Sequence, residues 1–182
     1  MKPAQNSAVL LSLIEKMKAK GSWCGETHVQ KATYIMSSLF GVPNDFEFVL
    51  YKHGPYSFEL SDHLSRMRVS GLLKLQPQPY PYGPSLGFGD GAGTLKEMYP
   101  KTVDRYSELV NFVSDVVAGK GVSQLEKLAT ALYVTDELGE NKSVGERAKR
   151  LVEHKPHIDM QAANDAVSEI DGVMRLKRAR FS

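Results

Sequence analysis

The sequence predicts a mainly α-helical chain with a small β-sheet (α+β), built as a winged-helix-like core with a β-wing and a C-terminal helical bundle. Three observations predict it. The stretch Phe46–Leu73, FEFVLYKHGPYSFELSDHLSRMRVSGLL, reads as strand, turn, helix and second strand. The next segment, up to Gly93, alternates briefly and then fills with Pro, Tyr and Gly. Most of the remainder carries apolar residues at helical spacing behind cap residues.

The elements follow in order. Ser7 is placed to cap a first helix through Val9, Leu10, Leu13, Ile14 and Met17, ending near Lys20-Gly21. Glu26 or Thr27 opens a second, with Val29, Ala32, Ile35, Met36 and Leu39, stopped by Gly41 and Pro43. Phe46, Phe48 and Leu50 alternate with polar or outward positions, as in a half-buried strand. Gly54-Pro55 reads as a tight turn and Ser57 as the N-cap of a helix with Leu60, Leu64 and Met67 on one stripe. Gly71 stops that helix. Leu73–Gly93 then reads as a strand, an exposed loop and a returning strand, a wing with an elaborated tip. Thr94–Tyr99 offers a capping box, but Pro100 follows closely, so a strand is expected there.

The C-terminal part is helical throughout. Thr102–Ala118 carries an apolar stripe ended by Gly119. Ser123–Glu126 reads as a capping box for a helix with Leu125, Leu128, Ala129 and Leu132, and Ser143–Glu146 as another. Pro156 closes the latter, and Asp159 caps a last helix through Met160, Ala163, Val167, Ile170 and Met174. The expected organisation is a single domain over 1–182: a winged-helix-like core at 1–100, packed helices at 101–175 and a basic tail at 176–182.

Composition narrows the function classes. At 182 residues the chain is long enough for a core that folds without staples. A net charge of +2 neither demands nor excludes nucleic acid. The single cysteine, Cys24, rules out an internal disulfide and fits a reducing compartment, where it is expected as a buried thiol. The apolar run Ala8–Ile14 is too short to span a bilayer and no cleavage site follows, so a cytoplasmic protein with no membrane partner is expected.

The most suggestive chemistry lies at Lys52-His53-Gly54-Pro55-Tyr56-Ser57. A lysine, a histidine, a phenol and a hydroxyl sit there beside a helix N-terminus, where free N–H groups and the dipole favour a phosphate or a partner's carboxylate. The same residues also have a plain structural use as turn, cap and core contact. The outward face of the following helix offers Glu59, Asp62, His63, Arg66 and, depending on phase, Ser65 or Arg68. On a DNA-binding winged helix that face would enter the major groove, and Arg66 and Arg68 would contact bases or phosphates. The acids oppose that use, and no Lys or Arg occurs between Lys74 and Lys96, where a phosphate-gripping wing would carry one. Tyr80, Tyr82 and Phe88 suit protein contact instead. Arg175, Lys177, Arg178 and Arg180 could touch nucleic acid, or form a solvated tail that complements the last helix dipole.

Catalytic signals are sparse. His28, His53, His63, His154 and His157 form no zinc set, since Pro156 keeps the last two off one helical face. No Walker A loop occurs, and Gly87–Gly93 does not run from a strand into a dinucleotide-binding helix. No enzyme activity, metal or cofactor is expected.

A family resemblance rests on Gln30-Lys31-Ala32-Thr33-Tyr34-Ile35, on Tyr51-Lys52-His53-Gly54-Pro55-Tyr56-Ser57, and on Leu64 with Gly71-Leu72-Leu73. These resemble the YwgA-like proteins, which are similar to the Panacea (SocA-like) antitoxin domains. Leu125–Thr130 resembles a later helix of that family, and His53 stands where the family usually shows Tyr. The resemblance covers most of the chain and is strongest over residues 28–75. It implies a helical, winged-helix-like domain without an enzyme site, acting in toxin–antitoxin or defence contexts by holding a toxin or presenting it to a protease. A similar domain forms the C-terminal half of some DarG-type antitoxins, where blocking a DNA-modifying toxin is the implied task.

The expected function is therefore a non-catalytic binding module, antitoxin-like or an adaptor, that engages a protein partner such as a toxin. The expected contact surface is Lys52, His53, Tyr56, Ser57, Asp62, His63, Arg66, Tyr80 and Tyr82. A winged-helix DNA-binding regulator using Arg66, Arg68 and the basic C-terminus is the alternative, and a nucleic-acid-processing enzyme centred on His53 is a third.

Overall fold

Among the described residues, eight helices and two hairpins follow one another. The computed structural model describes residues 1–80 and 83–181. Tyr82, expected in the contact surface, lies outside the described residues. Helices α1 (Pro3–Ala19) and α2 (Glu26–Phe40) lead into strands β1 (Val49–Tyr51) and β2 (Gly54–Tyr56). Helix α3 (Phe58–Val69) and strands β3 (Leu73–Gln76) and β4 (Ser85–Phe88) come next. Helices α4 (Ala92–Met98), α5 (Pro100–Val117), α6 (Val122–Leu138), α7 (Val144–His154) and α8 (Met160–Phe181) complete the chain. The fold is thus mainly helical, as the periodicity predicts, with two small antiparallel sheets where one was expected.

One apolar core joins the two halves. Leu10, Leu13 and Ile14 of α1 and Ile35 of α2 meet Val113 of α5, Leu125 and Leu128 of α6, Leu151 of α7 and Ile170 of α8, all but excluded from water. Helix α1 packs on α5, α2 on α6, and α8 on both α6 and α7. Their apolar stripes recur every three or four residues, the period that brings side chains onto one helical face.

The central stretch follows the expected order, with a different turn. Residues 46–51 alternate between half-buried and exposed, as predicted, and Ser57 caps α3 by accepting from the Leu60 N–H at 3.1 Å. The reversal, however, falls at Lys52-His53, and Gly54-Pro55 belong to β2, with Tyr51 opposite Gly54 and Leu50 opposite Pro55. Gly54 supplies a φ of +85° and a close fit that a turn further on would not provide. Among the described residues, strands β1 and β2 pair only with each other. The wing β3–β4 pairs separately, with Leu73 opposite Phe88.

The wing is held at its base. Gly71 (φ +72°) ends α3, the Leu72 N–H reaches back to the Met67 carbonyl, and the Gly89 N–H bonds to Leu72. The backbone at Gly89 runs so close that a Cβ there would stand 2.1 Å from the Gly71 oxygen. The glycines read as a rich but unassigned run are partly explained by this approach.

Four local expectations are corrected. Thr94–Tyr99 is not a strand: its residues lie in α4 and its cap, because Pro100 takes the first position of α5, where its missing N–H costs nothing, and so ends α4 without disrupting it. Ser7 does not cap α1; Pro3 opens that helix and Ser7 is buried inside it. Ser123 and Glu126 form no capping box, since α6 begins at Val122 behind Gly121, whose N–H is taken by Gln124. Residues 176–181 are no tail. They continue α8, and Phe181 packs edge-on against Phe40 and Phe112 at 5.0 and 5.6 Å. The predicted cap at Ser143–Glu146 forms, and Asp159 accepts from the Ala162 N–H.

Candidate functional site

The β1–β2 hairpin has strands of three residues, too short for their ladder to hold them alone. Its backbone is fastened instead by three buried polar side chains. Gln30 on α2 bridges Ser57, accepting from its N–H and donating to its carbonyl, both at 2.9 Å. Lys31, the next residue, is 1% exposed and donates to the Pro55 carbonyl at 2.8 Å. Lys155, in the linker after α7, donates to the Tyr51 and Lys52 carbonyls at 2.5 and 2.7 Å. Consecutive carbonyls at the tip of so short a hairpin have too few backbone partners, and buried ones must find a donor.

Two buried ammonium groups need a counter-charge, and Glu126 of α6 supplies it. Its carboxylate lies 3.5 Å from the Lys155 Nζ and 3.3 Å from the His157 Nε2, with His53 Nδ1 at 3.9 Å. Burial pushes the Lys31 amine down to about 8, against the pull of Glu126 and with the repulsion of Lys155. Gly54 completes the fit: a Cβ there would meet the Thr130 hydroxyl at 3.1 Å and the Glu126 carbonyl at 3.4 Å. Lys31 and Lys155 direct their ammonium groups at backbone carbonyls, while His53 and His157 face the Glu126 carboxylate from the exposed side. The arrangement suits seating a hairpin rather than proton transfer.

On the outer side of the same hairpin the surface is aromatic. Tyr51, Tyr56 and Phe58 contact one another, with ring centres 5.1–5.7 Å apart. Tyr51 and Phe58 are 55% and 54% exposed, and Val49 beside them is 48% exposed. Glu26 ties α2 to this corner through the Ser61 hydroxyl at 2.7 Å and the Tyr56 phenol at 3.5 Å.

The predicted site residues divide accordingly. Lys52 and His53 are exposed at the hairpin tip, and Tyr56 joins the aromatic patch. Ser57 is buried as the cap and is not available to a ligand. Asp62 and Arg66 are exposed on α3. His63 is not: it is 6% exposed, 2.9 Å from the Ser7 hydroxyl, with its ring against Phe46. The helix turns that position toward α1, and burial pulls its imidazole below the usual range, with Arg66 adding to the effect. Tyr80 stands 97% exposed in the segment after β3. Arg68 is half-buried.

The basic C-terminal residues lie on α8. Arg178 pairs with Glu140 at 2.8 Å, Arg180 with Glu108 at 2.6 Å, and the Lys177 amine sits over the Phe40 ring. Arg175 is exposed. Cys24 is buried, as expected, and burial pushes its thiol up to about 11.

Sequence reasoning missed Glu126, Lys155, His157 and the part played by Tyr51 and Phe58. Gln30-Lys31 was visible as a motif without a stated reason; the reason is the hairpin backbone. Among the described residues no cluster of His, Cys, Asp and Glu is arranged to hold a metal ion. No described helix is long and apolar enough to cross a membrane. Compared with protein-family models and with curated proteins, the chain matches none.

Proposed function

We propose that this chain is a non-catalytic binding module that docks a protein partner on the β1–β2 hairpin, and that the partner is a toxin-like protein of the kind the YwgA-like and Panacea resemblance implies. The observation that carries the reading is the exposed aromatic patch of Tyr51, Tyr56 and Phe58 on a hairpin locked from behind. Exposed aromatics grouped in this way are the usual anchors of protein interfaces. A rigid mount lowers the entropic cost of using them. Lys52 at the tip adds positive charge beside the patch, with the exposed His53 next to it.

The DNA-binding alternative draws on Arg66 and the basic end of α8. Against it, Asp62 shares the exposed face of α3, and Arg178 and Arg180 are already paired with carboxylates.

The test is co-expression with the product of the neighbouring gene. Co-purification should survive high salt and be lost in the Tyr51→Ser/Phe58→Ser double variant. Failure of the pair to co-purify, or retention by the double variant, rejects the reading. A retention on random duplex DNA that falls steeply with salt would favour the regulator instead.

A further inference from the structure

A cleft of about 310 Å3 lies apart from the hairpin socket, between the loop before α2, helix α3 and the wing. Its apolar lining is Leu64 and Leu86, both nearly fully buried, with Leu75 and Val122 more exposed, and Trp23 lines it too. A hollow of this size, at the small end for ligand sites, suits one residue-sized molecule.

Three polar features meet there. Arg68 donates to the Ser65 hydroxyl at 2.9 Å, and among the described residues no carboxylate lies within ion-pair distance of its guanidinium. Helix α2 opens on the same cleft at Gly25, Glu26 and Thr27, and no side chain caps it. His28, only 3% exposed, lines the cleft. The Lys120 backbone lies close enough to the ring to favour its protonation. Burial outweighs this and lowers the affinity of the imidazole for a proton, so near pH 7 the ring is neutral and one nitrogen keeps a lone pair. Glu26 is the one acid on the lining, and its carboxylate is engaged by Ser61 and Tyr56.

We propose that this cleft binds an N-acylated apolar amino acid through its free carboxylate, as found at the C-terminus of a peptide. Arg68 and the uncapped start of α2 take the carboxylate, Trp23 and the leucines take the side chain, and His28 accepts from the amide N–H. A guanidinium without a carboxylate partner, beside free helix N–H groups and an apolar floor, is complementary to that combination.

Trp23 is the chain's one tryptophan, so its emission reports on the cleft directly. Titration with N-acetyl-L-leucine should change that emission saturably, and N-acetyl-L-leucinamide should bind roughly tenfold more weakly. Arg68→Gln should weaken the acid by roughly tenfold and bring acid and amide together. A short peptide ending in leucine distinguishes the source. Tighter binding than N-acetyl-L-leucine, with the same preference for acid over amide, assigns the site to a partner's C-terminus; equal binding assigns it to the free amino-acid derivative. No saturable change with either acid overturns the proposal. So does equal binding of acid and amide by the wild-type protein, a comparison that holds even if Arg68→Gln fails to fold.

Discussion

Among the described residues the molecule carries two hairpins, and they are held by different means. The β1–β2 hairpin is held at its tip, where Lys31 and Lys155 take its carbonyls and Glu126 balances them. The β3–β4 wing is held at its root by the approach of Gly89 to Gly71, and along its ladder by Lys18 on Gln76 and the Leu86 carbonyl and by the Leu86 N–H on the Cys24 carbonyl. Its outer residue Tyr80 is almost wholly exposed. A hairpin whose tip carbonyls are gripped by a buried lysine presents its flank rigidly, whereas Tyr80 of the wing stands in the solvent. That difference is why the aromatic flank of the first hairpin, and not the tyrosine on the wing, carries the docking proposal.

The comparison breaks most visibly at Lys155. Lys155→Met removes the donor for two carbonyls and strips a cation from buried Glu126. It should cost about 3–5 kcal/mol in denaturant unfolding, as expected when one member of a buried ionic group is deleted. A cost near that of a surface change would mean the hairpin stands on its own.

The next effect is on pH. Lys31 has a folded value near 8 against an ordinary 10.5, so between these the unfolded chain holds the extra proton and stability rises with pH. Below about 8 both states are protonated and the full burial penalty applies. Relative to Lys31→Met, the wild-type protein should gain up to about 3 kcal/mol across that window. Parallel curves for the two proteins would contradict the buried placement of the amine.

Gly54→Ala comes third. It forces a side chain into left-handed backbone against Thr130, and should destabilise by about 1–3 kcal/mol in thermal or chemical unfolding. Smallest is Tyr80→Ser on the wing, which should stay within about 0.5 kcal/mol. If it matched Gly54→Ala, the wing would not be the freely exposed element described here.

Much of the architecture was legible in the residues. The stripe Leu60, Leu64, Met67 declared α3, Ser57 its start and Gly71 its end, because caps and periodicity are local properties. The helix at Thr94–Tyr99 was not legible, since a proline that ends one helix and one that opens the next look alike until the two are placed. The candidate site was half legible. Lys52, His53 and Tyr56 stood out by chemistry at a turn. Nothing near Glu126 or Lys155 in the sequence announced that they would meet that turn from more than seventy residues away, and Glu126 read instead as part of a cap.

From its sequence alone this protein was bound to be a mainly helical chain with a glycine-proline hairpin ahead of a capped helix, because apolar spacing, caps and breakers act within a few residues of themselves. Only the tertiary structure decided that Gln30, Lys31, Glu126 and Lys155 close around that hairpin, that His63 turns inward to Ser7, and that the basic C-terminus is helix. Those outcomes depend on burial. Burial decides which charge must find a partner, and it comes into being only when distant segments pack together.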